Sequence, residues 1–282
     1  MKVLVTGADG QLGLALRRLS SDHEIVACSR STLDITDSTS VIRVLGEHRP
    51  DVVVNCAAWT DVDGCEGDPG RAMAVNGTAV GVLAEVTDAV GARLAQISTD
   101  YVFNGSKIGP YVEDDEPNPV SAYGCSKLVG EQLAGPEALI VRTSWVMGPD
   151  GHNMFRTALR LLDGNDDLRF VDDQVGCPTF TDDLADGILR LLEADATGLF
   201  HVTNAGPVSW YGFVCEVAEA VGADPGRVHP IATADLDPPQ PALRPANSVL
   251  ENRAMTRACF TIPGDHVSPL RSLCARARSD GI

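Results

Sequence analysis

The chain has 282 residues, 44% of them hydrophobic and 22% charged, with a formal net charge of −17. That length and apolar content suit one large globular domain, or one plus a smaller one, with a substantial core. Such acidity repels a nucleic-acid backbone and an anionic lipid surface, so neither is expected as a partner.

Read in chain order, short apolar runs alternate with helical patterns. Strands are predicted at Lys2–Thr6, Glu24–Cys28, Asp51–Ala57, Ala92–Ser98 and Leu139–Thr143, where consecutive apolar positions suit strands buried on both faces. Helices are predicted over 11–20, 38–48, 70–90 and 121–134. The alternation implies an α/β fold with a Rossmann-type, doubly wound parallel sheet. Beyond residue 147 a helix at 153–162, a strand at 168–171 and a helix at 182–194 lead to a strand at 198–203 that rejoins the sheet. From about residue 223 the chain is rich in proline and reads as short helices and loops forming a lid. The expected division is a cofactor-binding domain, 1–147 rejoined by about 180–209, and a smaller substrate-binding domain from 148–179 and 210–282. The first residues read as a strand rather than a leader, and no run reaches the ~18 apolar residues of a membrane span, so a cytoplasmic location is expected. The eight cysteines form no Cys-x-x-Cys pair and none has zinc-finger spacing, so they read as reduced single thiols.

Three features carry chemistry. The first strand runs into Gly7-Ala8-Asp9-Gly10-Gln11-Leu12-Gly13, a G-x-x-G-x-x-G variant of the dinucleotide fingerprint. Gly7 permits the tight turn, Gly10 lets the backbone approach a pyrophosphate, and Gly13 allows close helix–sheet packing. The second strand ends in Cys28-Ser29-Arg30, placing a cation where a 2′-phosphate would lie, so NADPH is expected to be preferred, with NADH possible. Asp34 and Ile35 follow within reach of an adenine. Finally, Tyr123 and Lys127 share a helix face at i and i+4, where an ammonium favours the phenolate and lowers the tyrosine pKa. Ser98-Thr99-Asp100-Tyr101 ends the fourth strand, and in open α/β sheets ligands lie beyond the carboxyl ends of strands. Thr99 is thereby a hydrogen-bond donor for a substrate carbonyl beside Tyr123.

Together with L-D-I-T-D at 33–37, N-C-A-A-W-T-D-V-D at 55–63, S-T-D-Y-V-F-N-G at 98–105, R-T-S-W at 142–145, D-D-Q-V-G-C-P-T at 172–179 and R-P-A-N-S at 244–248, these motifs resemble the extended short-chain dehydrogenase/reductases, and within them the dTDP-4-dehydrorhamnose reductase family. The resemblance runs to about residue 255. It implies NAD(P)H-dependent reduction of a dTDP-4-keto-6-deoxysugar, with Thr99, Tyr123 and Lys127 catalytic. It further implies that Gly7, Gly10, Gln11, Leu12 and Gly13 line the pyrophosphate, with Ser29, Arg30, Asp34, Ile35, Ala57, Ala58, Thr60 and Ser98 along the rest of the cofactor. Val62, Asp100, Tyr101 and Trp145 are implied to hold the sugar; Asn153, Gln174, Pro178 and Arg244 are implied at the nucleotide. Some members place a Glu in the first helix, where it helps bind magnesium at a dimer interface. Ala15 stands there in this chain, so no metal is expected, and the chain is a monomer or a homodimer. Related reductases of antibiotic pathways, such as dTDP-dihydrostreptose synthase, share the motifs. A 4,6-dehydratase has a Glu where Tyr101 stands; a 4-epimerase and, from a different class, a non-catalytic subunit similar to that regulating methionine adenosyltransferase are the remaining readings.

Overall fold

The structure, a computed structural model, describes residues 1–20 and 22–279. Strands β1 (Lys2–Thr6), β2 (Glu24–Cys28), β3 (Val52–Asn55), β4 (Arg93–Thr99) and β5 (Leu139–Thr143) form a parallel sheet in the order β2-β1-β3-β4-β5, and Gly198–His201 adds a sixth strand beside β5. Successive residues of a strand face opposite sides. Val3 and Val5 therefore pack with Leu12, Ala15 and Leu16 of the first helix, Gln11–Leu19, and with Ile188 of helix Thr181–Glu193. Leu4 and Val53 face the other way, onto Val41 and Leu45 of helix Ser38–His48 and Leu83 of helix Ala79–Ala89. Each valine, leucine or isoleucine side chain removed from water here contributes roughly 1.5–3 kcal/mol. The strand order reverses direction between β1 and β3, and that switch point puts a crevice beyond their carboxyl ends.

A second core joins Met147, Phe155, Leu168, Phe213, Val217 and Leu270. It is built from helices Met154–Leu162, Trp210–Val221 and Val267–Ser279 and a two-stranded parallel pair of Leu168–Val171 with Val228–Ile231. The region after 223 is therefore not a lid of loops: its strand and its 13-residue terminal helix are packed into this core. The expected single helix over 70–90 is also broken, into Pro69–Ala72, a π-helical turn Met73–Thr78, and Ala79–Ala89. The wide turn carries Asn76, whose side chain accepts from Trp59 N (2.8 Å) and donates to the Trp59 carbonyl (3.0 Å) and Ser126 Oγ (3.1 Å). It thus pins the loop after β3 to the helix that bears Tyr123, and π turns of this kind cluster at functional sites.

Candidate active site

The glycine loop is shaped by contacts that exclude any side chain. Gly7 lies at φ +61°, and a Cβ there would sit 2.8 Å from the Ala57 nitrogen. At Gly13 a Cβ would sit 2.6 Å from Ala8 Cα and 2.7 Å from the Gly7 carbonyl oxygen. Gly10 caps the first helix with no side-chain hydrogen bond, and the first turn holds no acid. Its backbone N–H groups and the positive end of the helix dipole are thus available to an anion. Gln11 is tied to the second core, its Oε1 accepting from Asn153 Nδ2 at 2.7 Å.

This loop forms one end of a cavity of about 520 Å³ that runs past Ala58, Thr60, Val62, Ser98 and Thr99 to Tyr123 and Trp145. A recess of about 330 Å³ shares Gly7, Gly10 and Ala58 with it and extends along Ser29, Arg30, Asp34, Ile35 and Ala57. The two form an elongated groove that fits a dinucleotide: an anion-ready helix end in the middle, an adenosine-sized recess on one side and the Tyr–Lys pair on the other. Arg30 is 76% exposed and lies 3.7 Å from Asp34. Hydrogen bonds from Thr36 hold the Asp34 carboxyl below its usual range, keeping it charged.

Helix Ala122–Leu133 places Tyr123, Ser126 and Lys127 on its buried face. It approaches so closely because Gly124 and Gly130 face backbone, where a Cβ would sit 2.2 Å from the Tyr101 carbonyl and 2.3 Å from the Asn76 carbonyl. Burial pushes the Tyr123 phenol well above its ordinary range; a hydrogen bond with Thr99 opposes this and the charge of Asp100 adds to it. The expected depression by Lys127 does not arise. Lys127 Nζ donates to the Ile97 carbonyl at 2.6 Å, and desolvation dominates the phenol. Lys127 itself is pulled down to about 8 by burial, with Glu131 and Cys56 opposing. Asp100 is raised to about 6 by burial, against hydrogen bonds from Ser248, Ser144 and Thr99. Thr99 Oγ1 lies 3.0 Å from Asp100 Oδ1, and the Tyr101 and Tyr123 rings meet edge to face at 5.6 Å.

A family model described as RmlD substrate binding domain matches residues 1–278. The chain belongs to that family. A dTDP-4-dehydrorhamnose reductase of Burkholderia thailandensis is 42% identical over 275 residues, 90% of this chain and 92% of the relative. A dTDP-4-keto-6-deoxy-D-glucose reductase of Streptomyces niveus is 41% identical over 92% of this chain and 91% of the relative. Among solved structures, dTDP-4-dehydrorhamnose reductase from Bacillus anthracis in complex with NADP superimposes with a TM-score of 0.92 at 32% identity, covering 98% of this chain and 99% of that one.

In this member of the family most of the residues singled out from the sequence meet in the groove, but four do not line it. Asn153 caps the helix it precedes, and its amide nitrogen donates to Gln11, Gly148 and Asp150. The Gln174 amide donates to Thr233 and Gln240. Pro178 sits in a buried turn that packs on Trp145, whose carbonyl accepts from Thr179 N. Arg244 is already paired, its guanidinium reaching both carboxylate oxygens of Asp63 at 2.7 and 3.0 Å, and it also contacts the Tyr101 hydroxyl. Ser98 borders the cavity, but its hydroxyl donates to Glu131. The groove-lining residues that carry no prior expectation include Cys56, His152 and Trp210. Trp210 was detectable as an aromatic next to the capping residue Ser209, whose side chain accepts from Gly212 N at 3.0 Å. Among the described residues no helix is long and apolar enough to cross a membrane, and no three potential metal ligands cluster. Ala15 is fully buried against the sheet, where a carboxylate would be desolvated.

Proposed function

We propose that the chain is an NADPH-dependent reductase of the C4 ketone of a dTDP-4-keto-6-deoxysugar, with dTDP-4-dehydrorhamnose as substrate and dTDP-L-rhamnose as product. The observation that carries this reading is that Thr99, Tyr123 and Lys127 border the same cavity as an uncapped, glycine-shaped helix end. NADPH, when bound, supplies the hydride. The glycine loop would hold its diphosphate, Ser29, Arg30, Asp34 and Ile35 would border its adenosine end, and Lys127 would hold the ribose near the reacting end. Thr99 donates a hydrogen bond to the substrate carbonyl and fixes it against Tyr123. The raised pKa of Tyr123 keeps the phenol protonated at neutral pH, so it acts as the general acid that protonates the developing alkoxide. Ionised Lys127 acts through its ammonium N–H donors, one of them on the Ile97 carbonyl, and not by lowering the phenol pKa. Val62, Asp100, Tyr101 and Trp145 border the sugar, and the residues at 148–179 and 210–282 make up most of the substrate-binding half. A carboxylic acid at position 101 would favour dehydration; the tyrosine there favours reduction.

The test is to supply NADPH with epimerised and non-epimerised dTDP-4-keto-6-deoxysugars and identify the reduced sugar by NMR. Tyr123→Phe keeps the ring that packs on Tyr101 and removes only the acid, so kcat falls by about 10²–10⁴ while NADPH affinity is retained. Near wild-type turnover by that variant refutes the assignment.

A further inference from the structure

Trp145 and Trp210 come from different halves of the molecule and meet face to face in the wall of the cavity. Trp145 follows the end of β5; Trp210 opens helix Trp210–Val221. Their rings stack at a centroid distance of 3.5 Å and an interplanar angle of 3°. Three features hold the pair in place. Trp145 adopts a left-handed backbone conformation, φ 45°, which a bulky residue keeps only when its surroundings enforce it. Gly176 lies against the same indole, so closely that a Cβ there would be 2.5 Å from Trp145 Cε2. Trp210 in turn meets the fully buried Phe213 edge to face at 6.4 Å, which anchors it to the second core.

The location selects what this wall touches. Thr143 pairs with Thr99 across β5 and β4, so Trp145 emerges two residues beyond the strand position that neighbours the proposed carbonyl-binding hydroxyl. Both indoles line the cavity that holds Thr99 and Tyr123, and neither lines the adenosine recess. A double indole gives a flat apolar surface with little conformational freedom to lose on binding. Its natural partner is the C–H face of a sugar ring and a methyl group, rather than a phosphate or a charged base edge.

We infer that Trp210 is a positioning residue for the sugar ring: it holds the Trp145 indole in plane, and the stacked pair packs against the apolar side of a 6-deoxysugar at the reacting carbon. This inference rests on the dTDP-sugar reading above and assigns a side chain from the C-terminal half to that site. An apolar wall of this kind discriminates modestly, since one methyl or methylene group in a pocket is worth about 10–200-fold.

The test compares wild type, Trp210→Phe and Trp210→Ala by calorimetric titration with dTDP-L-rhamnose, dTDP and NADPH. Near-ultraviolet and far-ultraviolet circular dichroism report the coupled signal of the stacked indoles, and melting temperature reports folding. The expected result is loss of the coupled signal in both variants. Trp210→Ala should weaken dTDP-L-rhamnose binding by about tenfold while dTDP and NADPH affinities change less than about twofold; Trp210→Phe, which restores a flat ring, should recover most of the loss. Equal losses for dTDP and dTDP-L-rhamnose, or no loss for either, overturn the inference. A wild-type protein that reduces no dTDP-4-keto-6-deoxysugar but shows this selective loss overturns the catalytic reading and leaves the inference standing. Turnover without the selective loss does the reverse.

Discussion

Gly13→Ala tests the cofactor cradle at its tightest point. The new Cβ would lie 2.6 Å from Ala8 Cα, 2.7 Å from the Gly7 carbonyl oxygen and 2.8 Å from the Ala8 carbonyl carbon. Carbon contacts are comfortable at about 3.5–4.0 Å, so the clash amounts to roughly 1 Å. Every atom in the way is backbone, so no side chain can rotate aside; the first helix must move off the loop or the loop must open. Overpacking of this size costs about 1–3 kcal/mol, which for a chain of this length lowers Tm by about 2–5 °C. The same movement displaces the helix N–H groups from the diphosphate, so the Kd for NADPH should rise at least tenfold, about 1.4 kcal/mol. Gly46→Ala is the matched control. It sits exposed in helix Ser38–His48, where an added Cβ meets nothing within 4 Å. There the change removes a helix-weakening glycine and should stabilise by about 0.5–1 kcal/mol. The measurements are thermal unfolding by calorimetry and NADPH titration. Unchanged Tm and unchanged NADPH affinity in Gly13→Ala would refute the claim that this loop is sterically fixed around the cofactor.

Two further predictions follow from charge. Lys127, held at about 8 by burial, loses its proton as pH rises through that value, so kcat/KM should fall on an alkaline limb near pH 8. The linked stability runs the other way: the native state binds fewer protons than the unfolded chain between about 8 and the ordinary lysine value, so this group's contribution to stability increases with pH across that window. A pH profile of kcat/KM that stays flat to pH 10 would contradict the charge assigned to Lys127. Arg30, exposed and shared with Asp34, should contribute only about threefold to tenfold to the preference for NADPH over NADH, and Arg30→Ala should erase that factor when kcat/KM is measured for both cofactors.

The sheet and the cofactor end of the site were legible because their signals are local. β1 and β2 have the boundaries that apolar runs indicate, and Gly7 and Gly13 sit where backbone contact forbids a side chain. The Tyr–Lys spacing was legible for the same reason, since i and i+4 share a helix face. Its electrostatics were not, because the phenol's environment depends on burial and on Thr99 and Asp100, which come from another strand end. The second core was the least legible part. Helix Trp210–Val221 (WYGFVCEVAEAV) is apolar around most of its circumference, which hides a 3.6-residue period. The break at Met73–Thr78 depends on Asn76 bonding to Trp59 and Ser126, 17 and 50 residues away, and no local pattern encodes that. Arg244 reads from the sequence as a cation for the nucleotide; its pairing with Asp63, 181 residues away, was not legible there.

The buried polar groups beneath the groove explain how a sheet floor can hold the site rigid. Ala57 N donates to Thr6 Oγ1 (3.3 Å), Thr6 to Asn55 Oδ1 (2.6 Å), Asn55 to Gln96 Oε1 (2.7 Å), and Gln96 to the Ile97 carbonyl (2.8 Å), which also accepts from Lys127 Nζ (2.6 Å). The chain crosses β1, β3 and β4 and links the loop against which Gly7 packs to the proposed catalytic lysine. Thr6, Asn55 and Gln96 are all at most 1% exposed, and each side-chain polar group in this line has a partner, so it orders the strand ends instead of burdening them. One step deeper, Glu131 accepts from Arg142 through both carboxylate oxygens, at 2.7 and 2.8 Å, and also from Ser98. Because Glu131 lies one helical turn from Lys127, the same carboxylate that ties β4 and β5 to the helix also opposes the loss of charge from Lys127. Structural cohesion and the ionisation on which the proposed chemistry depends therefore share one buried residue, so a substitution at Glu131 has to alter both.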